Sequence, residues 1–202
     1  YASLQYSDPS MSSTCEMVYK VIQALDENAF NKEIASCLYT GIMTDTGSFR
    51  YSATTSETHL AISHLIRAGA DGTEIHQKIY DSSSLNRLKL LGITLSNLQE
   101  IPDLPIVFMT LTQEELTSCN YQKGDTEGFV NYGLSLEGIV FSCILIENES
   151  EGKIKMSFRS QGTFSVNEFA RTYFNGGGHH NAAGGMSMDI METTIARFKT
   201  AV

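Results

Sequence analysis

The apolar period of this chain changes at one place, and that change limits the folds open to it. Up to Ile101 the apolar residues recur at helical spacing; beyond Pro102 and Pro105 they recur in strand-like runs. Two prolines around Asp103 interrupt any continuing helix, since proline lacks the N–H and its ring clashes with the preceding turn. The expected boundary therefore lies between residues 101 and 102, with a hinge over residues 101–105. Residues 1–101 form a mostly helical domain, and residues 102–202 a smaller mixed α/β domain.

Within the first half, Ser13-x-x-Glu16 reads as a capping box before Met17, Val18, Val21, Ile22 and Leu25. Helices are expected over residues 31–44, 71–80 and 85–100. A further one carries Leu60, Ile62, Leu65 and Ile66, capped by Ser56 or Thr58 and stopped by Gly69. The last helix, with Leu88, Leu91, Leu95 and Leu98, links the two halves. In the second half, strands are expected over residues 106–111 and 139–147. Residues 153–159 alternate, with Ile154, Met156 and Phe158 on one face and Lys153, Lys155, Ser157 and Arg159 on the other. Thr112 caps a short helix over 113–119. Further helices are expected over 166–174 and 192–201, with a closing strand over 185–190.

Net charge is −9, which excludes the broad basic footprint of a non-specific binder of long nucleic acid. A small anionic ligand in a local basic pocket is compatible with it. The four cysteines, Cys15, Cys37, Cys119 and Cys143, form no C-x-x-C and lie in apolar contexts, as reduced thiols of a cytoplasmic protein do. No apolar run approaches the ~20 residues a membrane span needs, so no membrane partner is expected. The chain opens at Tyr1-Ala2-Ser3 without an initiator Met, which points to a portion of a longer protein.

Two dense spots can carry chemistry. In the segment from Asn175 to Gly185, five of eleven residues are glycine and His179 and His180 are adjacent. Glycines let successive N–H groups turn toward one point, which makes an anion site, and a histidine adds a directed donor. The alternative is a tight loop between two elements. The second spot is Thr44-Asp45-Thr46-Gly47, where a carboxylate sits at a chain reversal between two hydroxyls. Asp45 can reach a cation there, or merely cap its own backbone in an Asx-turn. Arg159 offers a planar fork suited to phosphate. His59, His64 and His76 read as surface or packing residues, and Arg50, Arg87 and Arg171 as surface charges.

Taken together, Ser12-Ser13-Thr14-Cys15-Glu16, Thr44-Asp45-Thr46-Gly47, Arg87-Leu88-Lys89-Leu90-Leu91-Gly92, Ser157-Phe158-Arg159-Ser160 and the final Gly-Gly-Gly-His-His-Asn-Ala-Ala-Gly-Gly run resemble the DHH phosphoesterase superfamily. The likeness is to its nanoRNase/pAp phosphatase group and spans nearly the whole chain. It implies an α/β fold: a helical remnant of the parallel-sheet DHH domain over residues 1–101, then a DHH-associated domain over 102–202. It implies two divalent cations, usually manganese, with Asp45 as the last metal ligand and a catalytic residue. Arg159, Ser160, Gly177, Gly178 and His179 would bind substrate phosphate. The implied partners are short single-stranded oligoribonucleotides or small phosphorylated nucleotides such as 3′-phosphoadenosine 5′-phosphate. No Asp-His-His occurs in the chain, so the segment alone is expected to be inactive. Two rival readings are a cyclic-dinucleotide phosphodiesterase of the same superfamily and a non-catalytic nucleic-acid-binding module. Oligomeric state is open, a homodimer included.

Overall fold

The computed structural model describes residues 5–8 and 10–202; the opening Tyr1-Ala2-Ser3 lies outside them. The chain divides into two compact units, one ending at Ser82 and the other running from Ser83 to Val202.

The first unit holds four helices: α1 (Thr14–Leu25), α2 (Lys32–Asp45), α3 (Ser56–Arg67) and α4 (Gly72–Tyr80). Each begins at a side-chain cap, supplied by Ser13, Asn31, Thr55 and Asp71. Such caps satisfy N–H groups that a helix leaves unpaired at its start. The core of the unit is Tyr19, Ala35, Leu38, Tyr39, Ile42, Met43, Ala61, Ile62 and Leu65, closed by Ala70. The expected apolar stripe of α1 is only partly used. Cys15, Tyr19 and Ile22 pack inward, whereas Val18, Val21 and Leu25 face out, Leu25 at 82% exposure. Glu16 does not close the expected capping box. Its carboxylate is buried and accepts from Ser12 Oγ and, at 2.9 Å, from Thr58 Oγ1, which ties α1 to α3.

The second unit contains α5 (Leu85–Ser96), β1 (Gln99–Glu100), β2 (Ile106–Leu111), α6 (Gln113–Ser118) and a 3₁₀ segment (Phe129–Ser135). It continues with β3 (Phe141–Asn148), β4 (Lys153–Ser160), α7 (Val166–Tyr173), β5 (Gly177–His179), β6 (Ala182–Ser187) and α8 (Met191–Ala201). Six strands form one sheet in the order β1-β2-β3-β4-β6-β5. Only β2 and β3 are parallel; the other pairs are antiparallel. The structural division falls earlier than the boundary expected at residues 101–102. Leu90 of α5 packs with Met109, Leu111 and Ile144, and Ile101 joins the opposite core, so the linker helix belongs to the second unit. That helix is also shorter than expected, because Asn97 caps it and β1 follows.

Candidate functional site

Alternation along a strand decides which side chains share a face. One face of the sheet carries Phe108, Phe141, Cys143, Met156, Phe158 and Ala183, and it is closed by Val166, Phe169, Phe174 and Phe198 from α7, its end and α8. On the other face, Met109, Leu111 and Ile144 lie under Leu90, Leu116, Phe129 and Val130. The cover reaches Ser142, whose hydroxyl donates to Val130 O at 2.8 Å. The 3₁₀ segment approaches so closely there that a Cβ on Gly133 would sit 2.1 Å from Ser142 Oγ.

Beyond β3 the same face carries polar groups. Register puts Arg159 opposite Ser142 and Ala182, Ser157 opposite Ile144 and Gly184, and Lys155 opposite Ile146 and Met186. On the outer strand, His179 pairs with Ala182 and Gly177 with Gly184. Arg159 and His179 therefore stand on one face with only Ala182 between them, about 10 Å apart at Cα by two strand spacings. The floor beside them, Gly184 and Gly177, has no side chain. Arg159 is half-buried and uses one N–H, from Nη1 to Phe158 O at 2.9 Å; the rest of the fork is open to a ligand. Arg159 and Gly184 line a groove of about 1140 Å³ along β4, with Lys123, Lys155, Ser157 and Gly185; His179 and Gly177 lie outside its lining.

The glycine-rich run is a hairpin rather than an anion-binding loop. Gly177–His179 is extended, so its N–H groups alternate in direction and do not converge. The Gly178 N–H is taken by Asn167 Oδ1 at 2.9 Å. Close approach explains three of the glycines: a Cβ would sit 2.0 Å from Gly184 O at Gly176, 2.4 Å from Ala182 O at Gly178, and 2.9 Å from Phe158 and Phe174 at Gly185. His180 and Asn181 make the turn, with His180 O accepting from Val166 N at 2.8 Å. Ser160 is one residue past Arg159 and so faces the other way. It is buried, donates to Phe164 O at 2.7 Å and accepts from Asn181 Nδ2 at 2.9 Å. The hydroxyl beside Arg159 on the open face is Ser157, which adjacency in sequence concealed and the alternation of β4 reveals.

Arg87 is also more than a surface charge. Its guanidinium donates to the carbonyls of Gly124, Asp125 and Glu127 and lies over the Phe129 ring at 5.0 Å. It holds the loop that feeds the 3₁₀ segment.

Asp45, in the first unit, is exposed at the last position of α2. The turn after it is held tightly. Thr46 Oγ1 donates to Ile42 O at 2.7 Å and accepts from Phe49 N at 3.1 Å. Ser48 N donates to Met43 O at 2.8 Å. Gly47, Ser48 and Phe49 all have positive φ, at 56°, 61° and 67°. For the two non-glycine residues this costs about 1–2 kcal/mol each. The Asp45 carboxylate makes no hydrogen bond or ion pair with any described residue. As a hard oxygen donor it suits one coordination position of a divalent cation. A complete centre needs more: among the described residues no three His, Cys, Asp or Glu side chains gather at metal-binding distance.

Residues 111–202 match the family described as the DHHA1 domain. The chain is 28% identical over 204 residues to the bifunctional oligoribonuclease and PAP phosphatase NrnA of Bacillus subtilis, covering 99% of this chain and 63% of that protein. It is 32% identical to the NrnA of Thermus thermophilus, covering 91% of this chain and 54% of that one. An exopolyphosphatase-related protein of Bacteroides fragilis superposes with a TM-score of 0.94 at 41% identity, over 99% of this chain and 58% of its own. The chain thus spans less than two thirds of each of these relatives.

Proposed function

We propose that this chain, which matches the DHHA1 domain family over residues 111–202 and is similar in sequence to NrnA proteins, is the substrate-holding part of a phosphoesterase of the DHH superfamily. The substrates in this reading are short oligoribonucleotides and small phosphorylated nucleotides such as 3′-phosphoadenosine 5′-phosphate. The observation that carries it is the uncovered half-face of the sheet. Arg159 and His179 flank a floor of alanine and glycine there, with Ser157 beside them. A guanidinium fork and an imidazole over a flat floor suit a phosphate, and the floor admits it without steric cost.

Each residue has a role in this reading. Arg159 pairs with phosphate oxygens through its free N–H groups. His179 donates from the opposite side of β6, and Ser157 adds a neutral donor. Asp45 supplies one ligand to a two-cation manganese centre of the whole protein; a divalent cation there would polarise the phosphate ester. The described residues offer too few ligands for that centre, so the segment alone is proposed to be inactive. The four cysteines are free thiols, and among the described residues no helix is long and apolar enough to cross a membrane. A cytoplasmic location belongs to the same proposal.

The test is hydrolysis of a ribodinucleotide and of 3′-phosphoadenosine 5′-phosphate by the intact protein with manganese. Asp45→Ala should abolish turnover while leaving the fold unchanged by circular dichroism. Arg159→Ala should weaken binding of a nucleoside monophosphate about 10- to 100-fold, the worth of one charge-assisted hydrogen-bond pair. Full turnover in Asp45→Ala, or unchanged affinity in Arg159→Ala, overturns the reading.

A further inference from the structure

His76 and Ser48 make a contact whose consequence reaches Asp45. His76 Nδ1 lies 2.7 Å from Gly72 O, in the first turn of α4. A carbonyl only accepts, so Nδ1 carries the proton. The other ring nitrogen, Nε2, is 2.8 Å from Ser48 Oγ and in the neutral ring accepts the serine hydroxyl. Both side chains are half-buried. The imidazole is fixed from its faces as well: Tyr39 packs edge-on at 6.2 Å between centroids, and Tyr80 at 6.0 Å. Tyr39 also packs against Phe49 at 6.0 Å. One histidine thus holds, by hydrogen bond and through a shared aromatic neighbour, the two non-glycine residues of this turn whose backbone is left-handed.

A strained conformation persists only where its surroundings over-determine it. Without the hydroxyl–imidazole bond, Ser48 and Phe49 have less to keep them at positive φ. Relaxation there would shift the end of α2, where Asp45 sits three residues before Ser48. We infer that His76 is a positioning residue: with Ser48 it forms a latch that fixes the strained turn over residues 46–49 and thereby the direction of the Asp45 carboxylate. This inference rests on the proposed role of Asp45 as a cation ligand. His59, which also packs on Phe49 but makes no hydrogen bond to the turn among the described residues, has no such role.

Two measurements test it. In the chain itself, amide hydrogen exchange reads the turn without any catalysis. The amides of Ser48, Phe49 and Arg50, all bonded within residues 43–50, should exchange at least about tenfold faster in His76→Phe, which keeps a ring for Tyr39 and Tyr80 to pack on. Amides in α1 and α3 should keep their protection, and His59→Phe should leave the turn unchanged. In the intact protein, His76→Phe should lower kcat about tenfold with KM within a factor of two and weaken manganese binding by calorimetry. His76→Gln, which can place an acceptor near the Nε2 position, should recover part of both. Ser48→Ala combined with His76→Phe should lose no more than the worse single variant. Unchanged exchange in His76→Phe overturns the latch. Faster exchange with unchanged kcat and manganese affinity overturns the positioning role, as does a double variant whose losses multiply. Retained turnover in Asp45→Ala overturns the functional reading instead and removes the basis of the positioning role, while exchange still decides the latch.

Discussion

At the scale of single residues, one step along β4 separates the proposed phosphate-binding face from the packed one. Arg159 and Ser160 are neighbours in sequence, yet they point to opposite faces of the sheet. The Ser160 hydroxyl is spent inside, between Phe164 O and Asn181 Nδ2. Ser160→Ala should therefore cost about 0.5–1.5 kcal/mol of stability, because the part-buried Phe164 carbonyl and Asn181 amide each lose a hydrogen-bond partner. It should leave nucleotide affinity of the folded protein unchanged. Ser157→Ala should do the reverse, with little change in melting temperature and a roughly two- to tenfold loss in affinity for a nucleoside monophosphate. Thermal melting and calorimetry on the two variants separate these outcomes; affinity lost only in Ser160→Ala would invert the assignment of faces. His180→Ala should matter less than His179→Ala, since His180 lies in the turn and only His179 is in register with Arg159. The cysteines sort by the same local logic. Burial pushes the Cys143 thiol well above its ordinary value, whereas Cys37 is exposed. Iodoacetamide at neutral pH should modify Cys37 first and Cys143 only on unfolding, because the reactive species is an accessible thiolate. Mass spectrometry of the labelled protein shows the order.

At the scale of elements, period carried most of the information. The alternation of Lys153 to Arg159 and the apolar run from Ile106 to Leu111 correspond to β4 and β2 because burial on one face, or both, leaves its mark in sequence. The site was legible to the extent that Lys155, Ser157 and Arg159 share a face. Three things were not legible. The glycine-rich run reads as a loop because glycine has low strand propensity; here strand is imposed by close packing of Gly176, Gly178 and Gly185 against neighbouring strands and rings. The 3₁₀ segment has no periodic pattern, and its order comes from Arg87 and Ser142, both distant in sequence. The expected stripe Leu88, Leu91, Leu95 and Leu98 is only partly used: Leu91 and Leu98 pack on the core beside buried Leu90, whereas Leu88 and Leu95 are exposed. A helix with apolar residues on two sides does not say which side its own unit covers. The two kinds of glycine predict opposite responses. Gly92 is helical with no atom within 4 Å of an added Cβ, so Gly92→Ala should stabilise by about 0.8–1 kcal/mol. In Gly176→Ala the Cβ would collide with backbone, and about 1–3 kcal/mol or more should be lost. Urea unfolding midpoints measure both; a stabilised Gly176→Ala would show that β5 can separate from β6 at little cost.

At the scale of the whole molecule, the distribution of charge sets what the groove can hold. The chain carries a net charge of −9, so a polyanion is repelled by most of its surface. In the groove Arg159, Lys155 and Lys123 are the cations, and Glu127 is also in the lining. The hairpin end of the same groove bears Glu147, Glu149 and Glu151. From Arg159 to Lys153 the strand rises about 20 Å, more than twice the Debye length of about 8 Å at physiological salt. A phosphate at Arg159 is thus screened from the acidic end, while a longer strand laid along β4 meets it. The prediction concerns counterion release. For single strands, log Kobs falls with log salt by about 0.7 per cation neutralising a phosphate. Three groove cations set the slope for a short oligoribonucleotide at no steeper than about −2, and Lys155→Ala should flatten it by about 0.7. Lengthening the oligonucleotide beyond the groove should not steepen it further, because no added phosphate finds a cation there. Calorimetric titrations across a series of potassium chloride concentrations, with oligonucleotides of increasing length, measure these slopes. A slope that keeps growing with length would mean that binding extends onto a cationic surface outside the groove, and that the open half-face of the sheet is only part of the site.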